Sequence, residues 1–188
     1  MSDVSAAKTM SPTPSRPAVE LFTDGDCIGN PGPGGWAFIL RHPSSGKTKE
    51  RSGGEQQTTN NRMEVMAVIK GLETLKMPSA VELYSDSEYV VKGIMERMAG
   101  QEACGWHKSI KSKQLIKNDD LWRRVFELSQ VHEVRAQWVK GHAGHPENER
   151  CDGMAAAEAK RMAGYVPGRP KTLEQMADEL LREAEERE

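Results

Sequence analysis

"VELFTDGDCIGNPGPGGWAFILRH", residues 19–42, holds two apolar segments around a break. "VELFTD" (19–24) alternates apolar and polar residues and ends in a carboxylate, the pattern of a half-buried strand. A run of Gly, Pro and Asn interrupts it, and "GWAFILRH" (35–42) is a second strand. "KTKERSGGEQQ" (47–57) is polar and suits a third, exposed strand. Three strands joined by turn-rich segments form an antiparallel meander. Asp24 and Asp26 lie one residue apart where the first strand ends. An Asp pair there suggests a metal, and leaves open whether both residues serve it.

Beyond the meander the periodicity changes. Val65, Val68, Ile69, Leu72 and Leu75 recur at helical spacing, with Asn60 or Asn61 as N-cap and Glu64 in the first turn. "AVELYSD" (80–86) is a strand ending in another carboxylate, and Ser87 caps a helix through "EYVVKGIMERM". Residues 100–118 carry Gly and scattered Lys. "DDLWRRVFELSQ" (119–130) is a helix, "VRAQWVKG" (134–141) a strand, and "ENERCDGMAAAEAKRM" (147–162) a helix. The order β-β-β-α-β-α-α-β-α predicts an α/β fold, a mixed five-stranded β-sheet flanked by α-helices.

The ends read differently. Residues 1–18, rich in Ser, Pro and Ala and without an apolar h-region, are expected to be a disordered arm rather than a secretory signal. The domain spans 19–162 and a linker 163–170. Residues 171–188 form an acidic helix opened by a Thr172–Gln175 capping box. No apolar run approaches the ~18 residues of a membrane span. Cys27, Cys104 and Cys151 share no metal-type spacing and fit reduced, buried thiols in a cytoplasm. The net charge of −2 owes much to the tail, so the body is near neutral and total charge excludes no nucleic-acid partner.

Asp24 closes the first strand, Asp86 the fourth, and Asp152 sits early in the last helix. Neighbouring strand ends would gather these side chains with Glu64. Such a cluster repels itself unless a hard divalent cation, which prefers carboxylates and water, resolves the charge. Singly, each Asp before Ser or Gly is as well explained as a cap or turn residue. The set, in this order of elements, is not.

"TDGDCIGNPGPGGW", "TTNNRMEVM", "YSDSEYV", "KNDDLW" and "WVKGHAGHPENERCD" closely resemble, in order and spacing, the type I ribonucleases H of bacteria, over about residues 19–160. The resemblance implies hydrolysis of the RNA strand of an RNA–DNA hybrid, leaving 5′-phosphate and 3′-hydroxyl ends. It also implies two Mg²⁺ ions, with Mn²⁺ as a substitute. Paired ions of this kind stabilise the attacking and leaving oxygens together. Position by position, Asp24, Glu64, Asp86 and Asp152 match the family's metal-binding carboxylates, and Asp24 is the natural bridging ligand. His142 matches its mobile catalytic histidine, a residue type that titrates near pH ~6.5 and can move a proton. Glu149 matches an acid tied to the second metal and product release, and His145 has no counterpart role. Asp26 matches a position that usually holds a small residue. This makes Asp24 the ligand and Asp26 its neighbour.

The resemblance also implies substrate contacts. Asn30, Asn60 and Asn61 match residues that touch sugars or bases in the minor groove, where 2′-hydroxyls are displayed. Thr59 and Asn118 match a pocket for a DNA phosphate. Trp106, with Lys108, Lys111, Lys113 and Lys117, belongs to a basic protrusion that binds the hybrid. Glu96, Gln101, Glu102 and Ala103 stand where relatives often place Lys, Arg or Trp, which implies weaker binding. The protein is expected to be a cytoplasmic monomer. Two rival readings are another metal nuclease of the same fold, which would lack "KGHAGHPENERCD", and a non-cleaving hybrid-binding module, which would lack a carboxylate.

Overall fold

The computed structural model of the chain describes residues 16–165. The tail helix expected at 171–188 lies outside them, as do nearly all of the arm and most of the linker. β1 (Ala18–Cys27) pairs antiparallel with β2 (Gly32–Arg41), and β2 with β3 (Thr48–Thr58). β4 (Ala80–Ser85) then lies parallel to β1, and β5 (Glu133–Trp138) parallel to β4. The sheet is five-stranded and mixed, in the order β3-β2-β1-β4-β5. β1 runs past Asp24, so the Gly/Pro run does not end it. Gly32 to Gly34 already belong to β2, and the hairpin closes where the Ile28 amide donates to the Pro33 carbonyl.

Helices cover both faces. α1 (Asn60–Glu73) and α4 (Asp119–Val131) share one core with Leu21, Phe38, Leu40, Val81 and Leu83 of the sheet. On the other face, α5 (Pro146–Met162) packs Cys151 and Ala155 against Phe22, Ala37 and Ile39. Adjacent residues of one strand thus serve opposite cores, as the period of two requires.

Glycine sets how closely the layers approach. A Cβ on Gly25 would lie 2.3 Å from the Glu64 amide nitrogen, so α1 sits directly on the β1 backbone. A Cβ on Gly35 would lie 2.1 Å from the Ala155 carbonyl oxygen, and α5 approaches β2 in the same way.

Two local expectations are corrected. The N-cap of α1 is Thr59, in extended conformation; Asn60 and Asn61 are helical, and Glu64 falls in the second turn. The Asn60 amide donates instead to Asn30 Oδ1 at 3.0 Å, so the cap comes from the hairpin turn. The helix opening at Glu88 is not uniform: α2 (Glu88–Lys92) passes through a π-helical turn (Gly93–Arg97) into α3 (Met98–Ala103). Trp122 lies against Gly93, where a Cβ would come within 2.1 Å of its ring. Ser87 does cap α2, its hydroxyl accepting from the Val90 amide.

Candidate active site

The β1–β4 ladder pairs each residue with the one 62 positions later, from Ala18 with Ala80 to Phe22 with Tyr84. Carried two residues on, this register sets Asp24 beside Asp86. Glu64 enters from α1, which the bare Gly25 lets down onto the strand. Ligand atoms of Asp24, Glu64 and Asp86 all lie within 4.8 Å of one another. Asp152 stands just outside this trio. It is half exposed, and its Oδ2 lies 3.9 Å from His142 Nδ1.

The electrostatics of the trio are one-sided. Asp24 is buried, and desolvation with the negative charge of Asp86 pushes its carboxyl up to about 7. Its Oδ1 accepts from the Gly25 amide at 2.7 Å, which offsets part of this. Glu64 is held well above the usual carboxylate range, chiefly by burial and then by Asp24. Its Oε2 has no hydrogen-bond partner, and Asn60 reaches Oε1 only at 3.5 Å. Among the described residues no basic side chain relieves the three, and every charged neighbour acting on Asp24 or Glu64 is acidic. Buried carboxylate oxygens without donors are costly as they stand. An all-carboxylate donor set fits a hard divalent ion.

Asp26 is part of this field but not of the trio. Its charge raises both Asp24 and Glu64, while its own Oδ1 accepts from the Cys27 amide at 2.8 Å. The extended strand separates the roles of the pair: Asp26 turns to its own stretch of backbone and acts on the trio at a distance.

Three supports of the site carry no signal that local sequence rules detect. Asn148 is buried, and its Nδ2 donates to Asp86 Oδ2 at 3.2 Å. The indole of Trp138 donates to the Asp86 carbonyl at 2.9 Å. Gly141 comes so close that a Cβ would lie 2.6 Å from Asp86 Oδ2.

His142 is exposed, in the left-handed region at φ 52°, on the loop between β5 and α5. Glu149 fastens that loop from α5, its Oε1 accepting from the Gly144 amide at 3.0 Å. His145 is the N-cap position of α5, in extended conformation, and makes no side-chain cap hydrogen bond. The start of α5 is itself pinned: Arg150 pairs with Glu50 of β3, and Arg41 with both Glu20 and Glu147.

The expected substrate residues divide. Asn30, Thr59, Asn60 and Asn61 cluster where the hairpin turn meets α1, with Asn61 exposed. Asn118, in the left-handed region at φ 58°, precedes α4, and its Nδ2 donates to Tyr89 Oη at 3.2 Å. A bidentate pair between Arg62 and Asp120 ties these two helix starts together. Trp106 is corrected. It is 5% exposed, packed edge-on to Phe126 with Arg123 over its ring. Its ring supports the protrusion from inside, with one edge on a small cavity that Tyr89 and Trp122 also line. Lys108, Lys111, Lys113 and Lys117 remain exposed around it.

A family model described as RNase H matches residues 16–160. Ribonuclease H of Rhodopirellula baltica is 56% identical over 140 residues, covering 74% of this chain and 89% of the relative. Ribonuclease HI of Caulobacter vibrioides is 55% identical over 139 residues, covering 74% and 91%. The crystal structure of LC9-RNase H1, described as a type 1 RNase H with the type 2 active-site motif, matches with a TM-score of 0.69. It is 29% identical, over 81% of this chain and 76% of that one. The N-terminal RNase H domain of rv2228c from Mycobacterium tuberculosis shares the fold, with a TM-score of 0.60 at 22% identity, over 78% and 96%.

Proposed function

We infer the use of the acidic pit from one premise: this chain belongs to the ribonuclease H family, metal-dependent enzymes that hydrolyse the RNA strand of RNA–DNA hybrids. Asp24, Glu64 and Asp86, with Asp152 at the rim, would hold two divalent ions, Mg²⁺ with Mn²⁺ as a substitute. The observation that carries this reading is the trio of buried carboxylates within 4.8 Å, with no cationic side chain among the described residues to balance it. Bound ions would supply the charge that activates water and steadies the leaving 3′ oxygen of an in-line displacement.

The chain's own residues do the rest. Asp24, buried with ligand atoms of Glu64 and Asp86 within 4.8 Å, would be the carboxylate shared by the ions. Asn148 and Trp138 hold Asp86 against rotation through its side chain and its carbonyl. The imidazole of His142 stands beside Asp152, free to take a proton at a ring nitrogen and to carry it to solvent. Glu149 sets the reach of the His142 loop through Gly144. Asn30, Asn60 and Asn61 present amides, which both donate and accept, to 2′-hydroxyls and base edges, while Thr59 and Asn118 grip a DNA phosphate. The lysines of the protrusion contact the backbone of the hybrid.

The protein acts as a monomer in the cytoplasm in this reading, with residues 19–162 as the working domain. No helix among the described residues is long and apolar enough to cross a membrane. The test is cleavage of labelled hybrid, duplex DNA and duplex RNA, with and without Mg²⁺. Cleavage of the hybrid's RNA strand alone, only with metal, is expected. Equal cleavage of duplex DNA would point to another nuclease of this fold, and tight hybrid binding without cleavage to a binding module.

A further inference from the structure

Tyr89 stands between the acidic pit and the start of α4, where Asn118 lies. It is half-buried in α2, three residues after Asp86. The backbone between the two is locked at both ends. The Ser87 amide donates to Ser85 Oγ at 3.1 Å, and Ser87 Oγ accepts from the Val90 amide at 3.4 Å. The phenolic oxygen of Tyr89 then makes three bonds to the start of α4. It accepts from the Trp122 indole at 2.8 Å and from Asn118 Nδ2 at 3.2 Å, and donates to the Lys117 carbonyl at 3.4 Å. Its ring packs edge-on to Trp122, with centroids 5.5 Å apart. Because its hydrogen goes to Lys117, the hydroxyl meets Asn118 as an acceptor, which fixes the way the Asn118 amide turns. The second hydrogen of Nδ2 is left for a phosphate oxygen. Asn118 needs this hold, since it lies in left-handed backbone at φ 58° and its side chain makes no cap bond to α4.

We propose that Tyr89 is a positioning residue: its hydroxyl holds the Asn118 amide in the orientation that grips a phosphate of the DNA strand, at a set distance from the pit. This rests on the reading of Asn118 as part of that grip. A hybrid held by its DNA strand and cut on its RNA strand needs the two points fixed against one another. Asp86 and Tyr89 share one short, locked stretch of backbone. It therefore carries a carboxylate of the pit at one end and the support of the grip at the other. The bidentate Arg62–Asp120 pair joins the starts of α1 and α4 but does not touch the Asn118 amide. Among the described residues, Tyr89 is the one hydrogen-bond partner of that side chain. An amide free to rotate would lose its freedom at each binding event, which weakens the complex.

The experiment uses the full chain with Tyr89→Phe, which removes one oxygen and keeps the ring. Hybrid affinity is measured by fluorescence anisotropy in EDTA, and KM and kcat with Mg²⁺. A series of hybrids carries one uncharged methylphosphonate at each DNA phosphate in turn, and Asn118→Ala runs alongside. For the natural chain, one position in the series should weaken binding most. Tyr89→Phe should weaken binding of the unmodified hybrid about fivefold, the effect of one hydrogen bond, and raise KM alike with kcat within about twofold. At the sensitive methylphosphonate it should bind as the natural chain does, and in an Asn118→Ala background it should add nothing. The Trp122 indole loses its acceptor in the variant, which lowers stability. Affinities are therefore compared as the ratio of modified to unmodified hybrid, which the folded fraction does not alter. That ratio should fall about fivefold in Tyr89→Phe. If it matches the natural chain, even with a uniform loss of affinity, while Asn118→Ala changes it, the proposal is overturned and the grip stands. A series with no sensitive position, or a ratio unchanged in Asn118→Ala, overturns the grip and the proposal together.

Discussion

Replacing Asp24 by Asn should make the metal-free protein more stable while abolishing cleavage. Burial and Asp86 raise the Asp24 carboxyl from 3.8 to about 7, so its ionised form is disfavoured in the fold and not in the unfolded chain. Stability from this group is therefore fully present below pH 3.8, declines as pH rises, and is lost above about 7. At 1.36 kcal/mol per pH unit, the full loss has a ceiling of about 4 kcal/mol. Relaxation of the pit and screening by salt reduce this to about 2 kcal/mol. The Asn amide is neutral, keeps the acceptor for Gly25, and can donate to the remaining carboxylates. For a chain of this size the gain corresponds to a Tm rise of roughly 4–8 °C. The assay is thermal unfolding of both proteins in EDTA at pH 8, pH 5.5 and pH 4. The gap should be widest at pH 8, about half as large at pH 5.5, and near zero at pH 4. Saturating Mg²⁺ should narrow it, because the natural chain gains more from the ion. A variant less stable than the natural chain at pH 8 in EDTA, or a gap independent of pH, would refute the reasoning.

Gly25→Ala should cost at least ~1–3 kcal/mol, because its methyl meets backbone atoms of α1 that cannot rotate away, and activity should fall with it as Glu64 is displaced; denaturant unfolding and hybrid cleavage measure both. Asp26→Ser should leave cleavage within a few-fold and shift only the Mg²⁺ titration, since Asp26 acts on Asp24 through charge alone; a dead but folded variant would name it as a ligand. His142→Ala should lower turnover by ~10²-fold or more without changing hybrid affinity, and a loss as complete as that of Asp24→Asn would assign His142 another role. Glu102→Lys with Ala103→Lys, both on the exposed face of α3, should steepen the salt dependence of hybrid binding by about 0.7–0.9 for each further phosphate neutralised. An unchanged slope would place α3 away from the backbone of the hybrid.

Features encoded by neighbouring residues are legible in the chain, and features made by tertiary packing are not. The order of elements along the chain, the helix spacing of Val65, Val68, Ile69 and Leu72, and the Ser87 cap are local patterns, and each stands where expected. The cap of α1 escapes local rules because its acceptor, Asn30 Oδ1, is 30 residues away. The π-helical turn opens at Gly93, against which Trp122 packs, again a meeting of distant segments. The position of Trp106 in a lysine-rich stretch suggests a substrate contact, yet Phe126 and Arg123 enclose its ring. Within the pit, the family resemblance points to the residues; the register of β1 on β4 supplies the reason that Asp24 and Asp86 meet.

That register has a consequence for how the chain matures. A parallel pairing with an offset of 62 residues closes a loop that holds β2, β3 and α1. Until then Asp86 stands apart from Asp24 and Glu64, and the trio is incomplete. The pit, and the penalty for leaving it empty, come into being together with the finished topology. A divalent cation held by all three carboxylates would reward the completed sheet over any partial version of it. At a concentration a hundred times its dissociation constant, the ion would add about 2.7 kcal/mol to that state alone. Slipping β1 along β4 by even one residue would part Asp24 from Asp86 and forfeit that gain, so an ion bound there would also favour the correct strand alignment.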